Sequence, residues 1–110
     1  TIDVAPVNHM AYGAAIDQRG ILWSSGYKES GEQNLLRLDP ADGSFSKTVT
    51  DFHTYGIAID RNDHLFVSGH QESVLTRWNT QTGTLDWKIG VGANPRGIAI
   101  TDDDDVWVIN

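Results

Sequence analysis

At 110 residues, with 39% hydrophobic and 21% charged residues, the chain has the length and composition of one small globular domain. Its net charge of −7 excludes the basic footprint that nucleic acid or an anionic membrane surface would attract. With no cysteine, disulfides and thiolate chemistry are excluded, and no apolar run approaches the ~20 residues of a membrane-spanning helix.

Taken in order, residues 1–5 are a short β-prone piece and residues 6–10 read as a loop. Small residues over 12–17 suit a crowded first strand, the turn-like Gln18, Arg19 and Gly20 follow, and residues 21–25 form a second strand. Residues 27–34 read as a polar loop. Residues 35–39 alternate apolar and polar, as a half-buried strand does. Pro40, Ala41, Asp42 and Gly43 make a turn in which Pro presets φ and Gly accepts positive φ. Residues 45–50 complete a set of four strands.

The same order then recurs. Strands are expected over 56–60, 65–68, 74–78 and 85–89, with a polar loop over 69–73 and a turn over 79–83. Strands over 97–101 and 106–109 begin a third copy. Residues 12–26 and 55–69 share eight of fifteen positions at an offset of 43; residues 96–110 share six of fifteen with the middle copy at an offset of 41. No ten-residue stretch has helical periodicity. Four short strands repeated about every 42 residues predict an all-β fold, a β-propeller of four-stranded antiparallel blades. Residues 1–10 end one blade, 11–53 and 54–95 are complete blades, and 96–110 start the next.

That makes about two and a half blades, against four to eight in a closed propeller. Such a piece exposes sheet edges that pair or aggregate. The chain, which opens on Thr1, is therefore read as a segment of a larger propeller. The alternative is an oligomer completing the ring from several chains. Ala15, Ala58 and Ala99 recur on the first strand, which lines the central channel of a propeller. Trp23, Phe66 and Trp107 recur on the second and are expected to pack between blades, with Trp78 and Trp87 packing on outer strands.

The segments at residues 55–60 (YGIAID), 65–68 (LFVS) and 36–43 (LRLDPADG) resemble the repeats of streptogramin (virginiamycin B) lyase-like propellers. They are similar also to NHL-repeat and SMP-30/gluconolactonase-like propellers. The resemblance covers about residues 10–110. It is specific for the fold and poor for activity, because these repeats are mostly structural. Trp78 and Asn79 depart from the Leu-Asp of the pattern, and the first copy has a longer loop at residues 30–34. The resemblance implies ligand binding on the face where one blade hands over to the next, and an extracellular or periplasmic location.

The residues falling on that face are Tyr12, Tyr27, Glu29, His53, Tyr55, His70, Glu72 and Arg96, with His9, Met10 and Asn94 beside them. They are expected to cluster around the channel mouth. Histidine can serve as general base or metal ligand, and carboxylates can hold a divalent cation. The other reading is solvated loop residues with ordinary hydrogen bonds. No cofactor is expected unless a divalent cation joins His53 or His70 to Glu29 or Glu72. Asp102, Asp103 and Asp104 form an acidic run that lacks the spacing of a calcium loop. They align with the first turns of the other copies and are read as a solvated turn, with a weak calcium site as the alternative. Asp17 and Asp60 are expected to close their turns.

The functional expectation is a non-catalytic binding or scaffold module. Its partners would be a protein or small ligand at the mouth, and the remaining blades of the same or another chain. The alternatives are a metal-dependent lyase or lactonase of the kind the resemblance implies, and a structural subunit pairing through open blade edges.

Overall fold

The computed structural model describes residues 7–110. The β-prone piece expected over 1–5 lies outside them. Ten strands follow in order: β1 (Met10–Ile16), β2 (Leu22–Tyr27), β3 (Gln33–Leu38), β4 (Phe45–Val49), β5 (Thr54–Ile59), β6 (His64–Gly69), β7 (Val74–Asn79), β8 (Thr84–Gly90), β9 (Gly97–Ile100) and β10 (Val106–Ile109). They build two four-stranded antiparallel sheets, β1-β2-β3-β4 and β5-β6-β7-β8, and a two-stranded β9-β10 sheet. These are two complete propeller blades and the first half of a third. Among the described residues no helix is present, hence none long and apolar enough to cross a membrane.

Turn chemistry explains the register. Gly20, Asp63 and Asp104 hold the same place in the three first turns and all adopt positive φ, 82°, 60° and 65°. Each turn is closed by the residue before it. Asp17 Oδ1 accepts the Arg19 and Ile21 amides, Asp60 Oδ1 accepts those of Asn62 and His64, and Thr101 Oγ1 accepts that of Asp105. Asp17 and Asp60 thus do what short polar side chains do best at turns. Gly43 and Gly83 repeat the device between the third and fourth strands, at φ 74° and 70°.

Blades pack face to face. Ile21, Trp23 and Leu35 of the first blade meet Leu65, Val67 and Trp78 of the second, with Phe52, Ile57, Ile59 and Val74 around them. Each such side chain fully buried is worth about 1.5–3 kcal/mol. Polar atoms drawn into the packing are matched: the Trp23 indole donates to Asp17 Oδ2 at 3.1 Å, and Trp78 to Thr76 Oγ1 at 2.9 Å. The seam between inner strands is hydrogen-bonded. Gly26 N–H donates to Thr54 Oγ1, and Thr54 Oγ1 donates back to Gly26 O, at 2.9 and 3.0 Å.

Two sequence expectations are corrected. Tyr27, Gln33 and Asn34 are strand residues rather than loop, because β2 and β3 continue to the Tyr27–Gln33 pair. Trp107 is 63% exposed instead of packed between blades. Its equivalents are covered, Trp23 by Leu65, Val67 and Trp78 of the next blade and Phe66 by the Trp87 ring, and among the described residues nothing comparable lies over Trp107. Trp87 is likewise only partly buried, on the second blade's face toward the half blade.

Candidate functional site

Position 12 and its equivalent, position 55, are set by a defect in β pairing. Along β1 the register jumps between Ala11 and Gly13, and along β5 between Thr54 and Ile57. A bulge inserts an unpaired residue and re-aims its side chain. Here the unpaired residues include Tyr12 and Tyr55, and their rings stack on each other across the blade boundary, 4.8 Å between centroids at 28°. The stack continues on both sides. Tyr27, at the end of β2, lies 5.4 Å from Tyr12, and His70, just after β6, lies 5.3 Å from Tyr55. Four of the expected site residues thus form one ladder, Tyr27–Tyr12–Tyr55–His70. Tyr12 is 51% exposed and the other three rings are partly buried.

Small residues let the seam close beneath the ladder. A Cβ on Gly56 would sit 1.8 Å from the Arg96 carbonyl oxygen. In the same place Ser68 Oγ accepts the Gly56 amide at 2.8 Å and donates to that carbonyl at 2.9 Å. One repeat earlier Ser25 Oγ donates to the Tyr55 carbonyl.

Beside the ladder, His53 and Glu72 form a direct pair. The His53 amide donates to Glu72 Oε2 at 2.8 Å and the ring Nδ1–H to Oε1 at 2.7 Å. Partial removal from water is the largest influence on Glu72 and pushes its pKa up; the two bonds from His53 outweigh it and hold the carboxyl below its ordinary 4.5. Glu72 is therefore an anion that orients the imidazole and leaves Nε2 as the basic ring nitrogen. The pair borders a cleft of about 310 Å³ lined by Gly31, Gln33, Thr50, Asp51, Phe52, His53 and Glu72.

Glu29 and Arg96 do not join this cluster. Both are exposed; Glu29 accepts nothing from His53, and among the described residues only its amide is engaged, by Asn8 Oδ1 at 3.2 Å. Position 10 explains it, since Met stands there where the second blade has His53. Arg96 contributes backbone groups to the seam, its amide donating to Ile109 O. Of the acidic run, Asp104 accepts Arg61 Nε at 3.1 Å and Asp102 O accepts the Arg61 guanidinium, which ties the third turn to the second. Asp103 is exposed. Among the described residues no three His, Asp or Glu side chains converge as a metal site requires.

His9 sits under the first blade's strand ends. Nδ1–H donates to Asn34 Oδ1 at 2.8 Å, and Nε2 lies 2.9 Å from Ser24 Oγ. The second blade has Phe52 in the place of His9, and a polar trio is replaced there by Phe52, Val67 and Val74. Burial is the main reason that the His9 pKa lies below 6.5; Lys47 adds to it and the Asn34 bond opposes it. The neutral ring is favoured, and the one Ser24 Oγ proton has two acceptors within reach, His9 Nε2 and the Gly13 carbonyl at 2.8 Å.

Sequence reading named every ring of the ladder, but not their contact. The shared tyrosine before glycine at positions 12 and 55 was the available signal. Gln33 and Asp51, which line the cleft, were not singled out.

The sequence matches no protein-family model and no curated protein. Similar solved structures include the luciferin-regenerating enzyme (TM-score 0.70, 15% identity), which covers 92% of this chain and 39% of its own length. A protein of unknown function from Bacteroides caccae superposes with TM-score 0.63 and 19% identity over 94% of this chain and 39% of that one. A streptogramin B lyase does so with TM-score 0.61 and 14% identity over 97% and 50%. At these identities the likeness establishes the β-propeller fold alone. The chain spans 39–50% of the length of these structures, as a partial propeller does.

Proposed function

We propose that this chain belongs to a non-catalytic binding or scaffold propeller, and that it recognises a ring-bearing ligand or an apolar protein segment at the channel mouth. One observation carries the reading: the Tyr27–Tyr12–Tyr55–His70 ladder, with centroids 4.8–5.4 Å apart across two blades. Partly exposed aromatic rings are costly to leave in water and give large contact area at low entropic cost, while tyrosine hydroxyls add polar specificity. The seam bonds beneath hold the rings, so little ordering remains to be paid on binding.

The test is a titration of the intact natural protein with phenol and with methyl β-glucopyranoside, followed by the tyrosine ring resonances. Saturable shifts confined to Tyr12, Tyr27 and Tyr55, lost in Tyr55→Ala, support the reading. No saturable shift with either probe overturns it.

A second reading has its own observation, the His53–Glu72 pair at 2.7 Å on a cleft of about 310 Å³. A carboxylate-oriented imidazole is a general base, and enzymes are named among the structural neighbours. In that reading the protein is a lyase or lactonase. Lactone turnover by the natural protein that His53→Ala removes would favour it; turnover unchanged by His53→Ala would count against it.

A further inference from the structure

The two complete blades provide an internal comparison on their outer strands. Arg37 on β3 and Arg77 on β7 hold the same place, each opposite the aromatic residue of the neighbouring strand, Trp23 and Phe66. Arg77 is engaged twice: its Nε donates to Asp86 Oδ2 at 3.1 Å, and its guanidinium lies 5.6 Å from the centroid of the Trp87 ring. The first blade lacks both partners. Its β4 presents Ser46 and Thr48 on that face, and Arg37, although partly buried, has no hydrogen-bond or ion-pair partner among the described residues. Asp42, in the adjacent turn, forms no ion pair with it. The Asp42 carboxyl is lowered first by its bond with Ser44, and the charge of Arg37 is the least of its influences.

Arg37 lies in a groove of about 200 Å³ where the two blades meet. One wall is Trp23, Arg37, Ser46 and Thr48; the other is Gln81, Thr82 and Gly83 in the β7–β8 turn. Thr80 of that turn donates to the Asp63 carbonyl, which places the groove on the face opposite the tyrosine ladder. Both walls belong to complete blades. The lining offers one guanidinium, three hydroxyls and a carboxamide, and no carboxylate.

A guanidinium has five donors and no acceptor, and a partly desolvated one without a counter-charge is unfavourable. Its planar fork fits two oxygens of one oxyanion, and the hydroxyls can donate to the others. We propose that this groove is a binding site for a small oxyanion, a phosphate or carboxylate group. Arg37 supplies the fork, and Ser46, Thr48 and Thr82 complete the shell. The ligand takes the place that Asp86 fills beside Arg77. This site is independent of the mouth.

The test is an NMR titration of the intact natural protein with inorganic phosphate, acetate and chloride at constant ionic strength, read at Arg37 Nε–H and at the Gln81, Thr82 and Gly83 amides. Phosphate, acetate or both are expected to shift these signals saturably, with chloride inert; which one saturates identifies the oxyanion. Arg37→Gln is expected to weaken binding at least tenfold, Arg37→Lys less, and Arg77→Gln and Tyr55→Ala not at all. Shifts that chloride reproduces, that never saturate, or that survive Arg37→Gln overturn the proposal. Should Arg37→Gln fail to fold, Thr82→Val replaces it, with at least threefold weaker binding expected and unchanged binding counting against the site.

Discussion

Ser25 Oγ donates to the carbonyl of Tyr55, and this bond, made between two blades, is repeated by Ser68 and Arg96. The two seams differ in one respect. Ser68 Oγ also accepts the Gly56 amide at 2.8 Å, so it serves a donor and an acceptor together.

Removing these hydroxyls should therefore have graded effects. Both serines are fully buried. Ser25→Ala orphans one carbonyl and should cost about 1–2 kcal/mol, whereas Ser68→Ala orphans two backbone groups and should cost about 2–4 kcal/mol. Urea unfolding midpoints of the two variants check the order; equal losses would refute the account of the seam.

Gly56 and Gly13 occupy equivalent positions but do not tolerate alanine equally. A Cβ on Gly56 would meet backbone oxygen at 1.8 Å, while one on Gly13 would meet the Ile57 side chain at 3.1 Å. Side chains yield and seam backbone does not. Gly56→Ala should destabilise by about 3 kcal/mol or more and Gly13→Ala by about 1 kcal/mol or less. Thermal unfolding of both variants measures the difference.

The His9 trio predicts a pH dependence. Burial, the largest cause, lowers the folded-state pKa of His9 below its unfolded value of 6.5, so the folded state binds fewer protons there. Its contribution is complete above pH 6.5 and is lost as pH falls through the lower folded pKa. The Glu72 carboxyl, also lowered, acts with the same sign but in a window below 4.5. Replacing the trio by its second-blade counterpart, His9→Phe with Ser24→Val and Asn34→Val, should abolish the first window and keep the second. Stability measured between pH 7 and pH 2 tests this.

On the opposite face, the Arg61–Asp104 pair should matter little. Its side chains are 62% and 36% exposed, so water and salt screen it. A double-mutant cycle should give no more than about 1 kcal/mol, vanishing in 1 M salt. A larger, salt-insensitive coupling would mean that this turn is a structural clamp.

Strand positions and blade repeats were legible because they follow from local rules. The alternation in residues 35–39, the Asp17 and Asp60 that close the first turns of the two complete blades, and the glycine at positions 43 and 83 act within a few residues of themselves. The ends of β2 and β3 were misplaced because Tyr27, Gln33 and Asn34 look like loop residues until cross-strand pairing holds them. Glu29 and Glu72 align residue for residue, yet only Glu72 finds a histidine, because its partner position lies in a different segment.

By itself, then, the sequence determined an all-β repeat of four-stranded blades, since hydrophobic period and turn chemistry are local properties of the chain. The tertiary structure alone decided that Tyr12 and Tyr55 stack, that Arg77 is paired while Arg37 has no partner among the described residues, and that Trp107 is exposed. Each of these depends on what the neighbouring strand or blade presents across a few ångströms, and contacts across strands, from nine residues apart for Arg77 and Asp86 to 43 for Tyr12 and Tyr55, leave no mark on local pattern.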